Sequence, residues 1–345
     1  MSSGSDDSPI IISAYNVHGG GGAVLLEALL RDSPAQTITL LDARFKNSTL
    51  SKVQNVSYAF SPTLLGRLKA EALLRFHINQ NYPLLCFGNI PPLFRHKGRT
   101  TLFLQNALLL KQVKLSMFPI KTRLRLIAER TLLHLLRSHL DRVLVQTQTM
   151  KRHADAFFDG KVLVEIAPIA PPNSIHLSAS PSDDFQFDFI YPASGDAHKN
   201  HIRLIEAWRL LAKEGLFPKL ALTIDPLVYA ELHTLMESSI QRDRLNIFNF
   251  QKLDRESLLK HFAASRALVF PSLCESFGLP LLEAAQLNRP IVASELDYVR
   301  DVCTPIETFD PLSPYSIAAA IKRALKIPFK TAPILPAKAF LEYLK

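Results

Sequence analysis

The sequence predicts an α/β protein of two doubly wound, parallel-sheet domains facing a central cleft. Three observations carry this: strand and helix patterns alternate along nearly the whole chain, the alternation starts afresh about halfway, and a stretch dense in Pro, Ser and Asp separates the two series. At 345 residues the chain suits two domains of ordinary size.

The first series opens with Pro9–Ala14 as a buried strand, His18–Gly22 as a glycine loop and Ala23–Leu30 as a helix. Thr37–Leu41 is the next strand, ending at Asp42, followed by strands at Leu84–Phe87, Thr101–Gln105 and Arg142–Gln146. Helical patterns cover Leu64–Ile78 and Lys121–Leu140. Residues 167–184 read as linker, because Pro and Ser interrupt both periodicities there. The second series runs Phe185–Tyr191 strand, Asn200–Glu214 helix, Lys219–Ile224 strand, Leu227–Ser239 helix, Leu245–Phe248 strand, Arg255–Ser265 helix and Ala267–Phe270 strand. A helix from Pro280 and a strand at Pro290–Ala293 follow. The expected division is a first domain at 1–170, a linker at 171–184, a second domain at 185–330 and a segment at 331–345 packing back toward the first domain.

Composition narrows the function classes. With 48% hydrophobic and 21% charged residues, both halves have enough apolar residues to bury a core. The apolar run Thr101–Leu110 is far short of the ~18 residues needed to span a bilayer. Met1–Pro9 carries Asp6 and Asp7 and no Lys or Arg, the reverse of a secretory leader. Cys86, Cys274 and Cys303 have no metal-type spacing and, being odd in number, suit a reducing cytoplasm.

The net charge of +9 is unevenly placed: residues 1–178 hold 21 Lys/Arg against 11 Asp/Glu, the remainder 19 against 20. Within 111–142, Lys111, Lys114, Lys121, Arg123, Arg125, Arg130, Arg137 and Arg142 face only Glu129 and Asp141, interleaved with leucines. As a helix, this segment suits either an anionic membrane surface or a core-packed helix with a basic outer face. Nucleic acid is disfavoured, since no interleaved aromatics accompany the charge.

Two motifs carry chemistry. The first is His18-Gly19-Gly20-Gly21-Gly22, between a strand and a helix, where backbone amides can approach a phosphate. It suits a phosphate or sugar ligand, and equally a tight structural turn. A dinucleotide fingerprint would use Asp42 on a ribose, but its third glycine is missing at Val24. The second motif spans Val269–Ala285, in which a strand ends at Pro271-Ser272, a loop carries Glu275, Ser276, Phe277 and Gly278, and a helix with Pro280 in its first turn carries Glu283. Open amides of that turn can hold a diphosphate at the carboxyl ends of the strands.

Glu275 and Glu283, eight apart in ESFGLPLLE, resemble the signature of the retaining family 4 glycosyltransferases, which have the GT-B fold of two Rossmann-like domains. FIYPASGDAHKNHIRLIEAW, NIFNFQKLDRESLLKHFAASRALVFPS and PIVASELDYVRDV resemble other parts of the same domain, and HGGGG and LVQTQTMKRHADAFF fit the first domain. The resemblance implies that Glu275 contacts the donor sugar and Glu283 the ribose. It implies that Lys199, with His198 nearby, neutralises the diphosphate alongside the amides of Phe277, Gly278 and Leu279, and that Gly20 and Gly21 close over the phosphates from the other domain. No metal and no cofactor are expected, the nucleotide sugar being a substrate. His18, Gln105 and Asn106 are candidates for the acceptor side. Three positions depart from the family pattern: Ser194 stands where an arginine is usual, Gln105 stands for a histidine, and Phe250 or a neighbour stands for a glycine.

The expected function is transfer of a sugar, with retention, from a UDP or GDP sugar to a glycan or lipid-linked saccharide in cell-surface polysaccharide synthesis. The expected location is the cytoplasm, with peripheral contact to the inner face of a membrane. A binding-only relative and a sugar-nucleotide epimerase are the alternatives.

Overall fold

The structure, a computed structural model, describes residues 9–34, 36–45, 56–110, 113–170 and 185–327. The linker 171–184 and the segment 331–345 named above lie outside the described residues.

The first sheet is built from β1 (Ile11–Ala14), β2 (Ile38–Asp42), β3 (Val56–Phe60), β4 (Leu84–Cys86), β5 (Thr100–Phe103), β6 (Arg142–Val145) and β7 (Leu163–Ile166). All pairs are parallel, in the order β3-β2-β1-β4-β5-β6-β7. Successive residues of a strand serve opposite faces. Ile12, with Leu41, Phe87 and Phe103, packs on α1 (Gly20–Arg31) through Leu25, Leu26 and Leu30. Ile11, with Leu40, Leu84, Leu102 and Val143, packs on the other face. That face is covered by α2 (Leu64–Phe76), α3 (Ile120–Leu135) and α4 (Gln148–Phe158) through Ala70, Leu74, Leu126, Leu133, Met150 and Phe158.

The second sheet contains β8 (Phe187–Tyr191), β9 (Leu220–Leu222), β10 (Ile247–Asn249), β11 (Ser265–Phe270), β12 (Ile291–Ser294) and β13 (Glu307–Phe309), all parallel, in the order β10-β9-β8-β11-β12-β13. Its helices are α5 (His201–Lys213), α6 (Ala230–Asp243), α7 (Arg255–Ala263), α8 (Leu279–Gln286), α9 (Asp297–Arg300) and α10 (Pro314–Ala324). One continuous core surrounds Trp208, whose indole N–H donates to the Pro218 carbonyl at 2.9 Å, so that this large side chain is buried with its polar atom satisfied.

The elements read from the sequence occur in the expected order, with corrections at several ends, and the structure adds β3, β7, β13, α4, α9 and α10 to them. The glycine run is not a loop before a helix: α1 begins at Gly20, so three glycines form its first turn. The helix expected from Leu227 starts at Ala230, because Asp225 holds Val228 and Tyr229 in a turn through its carbonyl. The basic helix stops at Leu135, and Arg137–His139 continues as a 3₁₀ turn. Among the described residues, no helix is long and apolar enough to cross a membrane.

The two domains touch at the carboxyl ends of their strands. Cys274 of the second domain is buried in the first domain's core, and Leu279 packs against the cluster around α1. The amide of Thr149, at the start of α4, donates to Asp301 Oδ2 at 2.6 Å, a carboxylate placed at a helix N-terminus. Arg152 and Asp297 pair at 2.6 Å beside it.

Candidate functional site

The site grows from the ends of β8 and β11. After β8 the chain makes a short 3₁₀ turn, Ala197–Lys199, and then Asn200 takes a left-handed conformation with φ 65°. Asn200 is buried, and its side-chain amide donates to the carbonyls of Pro271 (3.1 Å) and Pro311 (2.7 Å). This ties the turn to the loop after β11. The Tyr191 hydroxyl adds a second tie, donating to the Lys199 carbonyl at 2.9 Å and meeting Ser272 Oγ at 2.8 Å. Tyr298 closes the set by donating to the Ser272 carbonyl at 2.7 Å. Burial, then the charge of Glu275, holds both phenols protonated well above their ordinary range.

On this frame Lys199 Nζ donates to Glu275 Oε1 at 2.6 Å, with the side chains 19% and 12% exposed. Two charges held that far from water are costly unless each has a partner, and here each is the other's. The cation is thus in place before any ligand arrives. His198 presents its carbonyl to the amide of Leu273 (2.8 Å) and its ring to Phe118 of the first domain (5.9 Å between centroids). Burial, and then the charge of Lys199, push His198 down to about 4, so its imidazole is neutral near pH 7.

Glu275 leads through Phe277 into Gly278, which has φ 79° and starts α8 without a capping side chain. Pro280 is the second residue of that helix, not the first as the sequence suggested, so Leu279 keeps its amide at the terminus. Across the gap, the first turn of α1 is uncapped by any side chain and has no acidic residue. A Cβ on Gly21 would lie 3.0 Å from Leu279 Cδ1, so the two helix starts touch. Gly22 adjoins Gln105 Oε1, 3.3 Å from where its Cβ would be. An anion between these helix starts would meet open amides from both domains.

The remaining expected residues divide. Gln105 Nε2 donates to the Phe87 carbonyl (2.8 Å), leaving its oxygen beside α1. Asn106 Oδ1 accepts from Leu108 N at 3.1 Å and so starts the turn at Ala107–Leu110. His18 is exposed on the approach to α1. Glu283 is buried at 3% exposure, and Arg255 NH1 donates to its Oε1 at 2.7 Å. Burial holds the Glu283 acid above its ordinary range, and the Arg255 charge and hydrogen bond offset part of that rise. Ser194, in the place of the family arginine, donates to Asp196 Oδ2 at 2.7 Å. The backbone conformation that favours the missing glycine falls at Gln251, with φ 56°, and not at Phe250, which stacks on His261 at 4.0 Å. Asp42 is spoken for: Arg44 Nε and NH2 donate to its two oxygens at 2.9 and 2.7 Å, which removes it as a free ribose acceptor. Among the described residues no cluster of three or more His, Cys, Asp or Glu side chains is placed to hold a metal.

Sequence reasoning did not single out Arg255, Tyr191, Tyr298 or Phe118. Only Arg255 left a signal, being a cation in a helix's first turn, where the helix dipole disfavours it.

Two facing parallel-sheet domains with this cleft define the GT-B class, and solved structures of that fold agree. An α,α-trehalose-phosphate synthase (UDP-forming) from Burkholderia vietnamiensis matches with a TM-score of 0.66 and 14% identity, over 93% of this chain and 92% of that one. Anabaena HepE in complex with UDP and glucose matches with a TM-score of 0.67 and 16% identity, over 92% and 90%. Residues 176–337 match the model of the family described as glycosyl transferases group 1. The serotype-specific mannosyltransferase WbdA of Escherichia coli is 28% identical over 160 residues, 44% of this chain. Those residues span only 18% of that relative's length.

Proposed function

We propose that the protein is a retaining glycosyltransferase, moving a hexose from a UDP or GDP sugar to a glycan or lipid-linked saccharide acceptor in cell-surface polysaccharide synthesis. The observation that carries this reading is the Lys199–Glu275 pair, fixed at 2.6 Å between the turn after β8 and the loop leading into the uncapped start of α8. Breaking the bond between the anomeric carbon and the diphosphate builds negative charge on phosphate oxygen. Lys199 and the amides of Phe277, Gly278 and Leu279 are preorganised to take it up, the kind of arrangement that supplies a large share of rate enhancement. These groups supply the role of a metal, so the transfer is read as metal-independent. Gly20 and Gly21 approach the same phosphates from α1, and neutral His198 offers a hydrogen bond beside them. Glu275 faces the developing positive charge of the sugar ring, and Glu283 holds the ribose. The acceptor hydroxyl attacks from the leaving-group side, its proton passing to the departing phosphate as the new glycosidic bond forms. His18, Gln105 and Asn106 border the acceptor's approach.

The relatives named above add chemical context: HepE holds UDP and glucose, and WbdA is a mannosyltransferase. Ser194 gives some weight to a binding-only relative, because its hydroxyl is turned to Asp196 where a second cation would help the leaving group.

A donor panel tests the proposal. UDP and GDP at ~100 times their dissociation constant would each stabilise a cognate site by about 2.7 kcal/mol, a clear shift in melting temperature. Glu275→Ala should cut transfer from the matching sugar nucleotide by about 10²-fold or more with nucleotide binding kept, and Lys199→Ala should weaken binding as well. Turnover undiminished in Glu275→Ala refutes the role given to Glu275, while binding without turnover in the wild type selects the binding-only relative.

A further inference from the structure

Glu283 is a carboxylate in the middle of α8, and its environment is nearly apolar. The helix packs on β11 and β12, whose buried residues include Leu268, Phe270, Ile291 and Ala293. The nearby charged residues of the turn after β8 and the loop after β11, Lys199 and Glu275, are paired with each other. Among the described residues, the charge that acts on Glu283 comes from α7, where Arg255 is the first helical residue. That position is unfavourable for a cation, since the amide ends of the helix already carry partial positive charge. Asp254 caps the helix by accepting from Ser257 N at 2.9 Å, so α7 does not depend on Arg255 for its start. The arginine's contact is across the gap to Glu283 Oε1, at 2.7 Å.

We infer that Arg255 is a positioning residue for the donor: its guanidinium fixes the Glu283 carboxylate, ionised and oriented, to accept hydrogen bonds from the ribose diol. This rests on the reading of Glu283 given under the proposed function. An ionised carboxylate only accepts, whereas a protonated one spends an oxygen as donor and suits two hydroxyls less well. An unpartnered acid at this depth takes up a proton, because burial disfavours its charged form. Arg255 opposes that, and it leaves the rest of the carboxylate free because it binds through a single nitrogen.

The test compares nucleotides that differ only in the diol. Whichever of UDP or GDP the wild type binds is titrated by calorimetry against its 2′,3′-dideoxy analogue, with wild type, Arg255→Gln and Arg255→Lys. Near pH 6, Arg255→Gln should weaken the ribonucleotide severalfold, short of the tenfold limit that a one-unit rise in the acid's pKa allows, and the dideoxy analogue less than about twofold. The acid limb of ribonucleotide binding should move up by about one pH unit, and Arg255→Lys should recover part of both effects. Equal losses for the two nucleotides would place Arg255 on phosphate or base and overturn the inference, as would no loss at all. Should the glutamine variant fail to fold, Arg255→Lys carries the same comparison with a smaller expected difference. A wild type that binds neither nucleoside diphosphate removes the proposed function, and this inference with it.

Discussion

At the scale of the residue, burial decides charge, and His201 is the plainest case. Its Nε2 lies 2.9 Å from the Ser194 carbonyl, which makes that nitrogen the donor, and its buried Nδ1 has no partner among the described residues. Burial pushes His201 down to about 4, while the same group in an unfolded chain titrates near ~6.5. The unfolded chain therefore binds the proton first. The stability conferred by the neutral ring is complete above about pH 6.5 and is lost as the pH falls toward 4. His198 shifts in the same direction and adds to the slope. The melting temperature should accordingly drop between about pH 7 and pH 5, and His201→Gln, whose amide nitrogen stands nearest the place of Nε2, should flatten the profile. An unaltered profile in that variant would contradict the assignment. Lys199, Glu275 and Glu283 were legible from sequence because they sit in a motif of fixed spacing. Arg255 was not, because its partner is 28 residues away and only the fold brings them together.

At the scale of the element, the junction from loop to α8 turns on Gly278. With φ 79° and a Cβ site only 3.0 Å from Leu281 Cδ1, it is the residue where a side chain meets both backbone strain and crowding. Gly278→Ala should cost roughly 1–2 kcal/mol and lower the affinity for the nucleoside diphosphate, as read by calorimetric melting and titration. A variant with wild-type stability and affinity would show that the left-handed turn is dispensable. Elements were legible where both faces of a strand are buried, as in β1, β2 and β11. The edge strand β3 is exposed along most of its length, and the outer strands β7 and β13 are short and only partly buried, so none of the three was marked by a run of residues buried on both faces. The glycine run misled for a different reason. Helix propensity argues against three glycines in a first turn, and only the second domain, pressing Leu279 against Gly21, explains why small residues begin α1.

At the scale of the whole molecule, the uneven charge has a place. α2 and α3 cover the same face of the first sheet, and their outward sides carry Leu64, Leu65, Leu68 and Phe76 on one and Ile120, Leu124, Ile127 and Leu135 on the other, with Leu64 84% exposed. Lys121 and Arg125 stand exposed among them. Lys111, the first cation of the basic segment, lies outside the described residues, and Arg123 and Arg130 are turned inward to backbone carbonyls. We therefore keep the anionic membrane surface as a proposed partner of this face, with apolar burial aided by about 1 kcal/mol per surface cation. The protein should sediment with vesicles containing phosphatidylglycerol at low salt and be partly released near ~1 M salt, where screening acts within about 3 Å. Equal recovery in the supernatant with and without vesicles would leave the face to another partner. Sequence supplied the sum of charge and the amphipathic period of α3; that α2 presents a second apolar side beside it follows only from both helices packing on one sheet.

The contact of Gly21 with Leu279 has a consequence for how the two halves move. Each of the two helices that meet there carries about half a positive charge at its start, and neither has an acidic side chain in its first turn to offset it. Two like poles held together repel, so the empty molecule is biased against shutting. A multivalent anion lodged between them reverses the sign of that force. On the proposed function, the diphosphate would be the latch as well as the leaving group, and the cleft would loosen once it has gone.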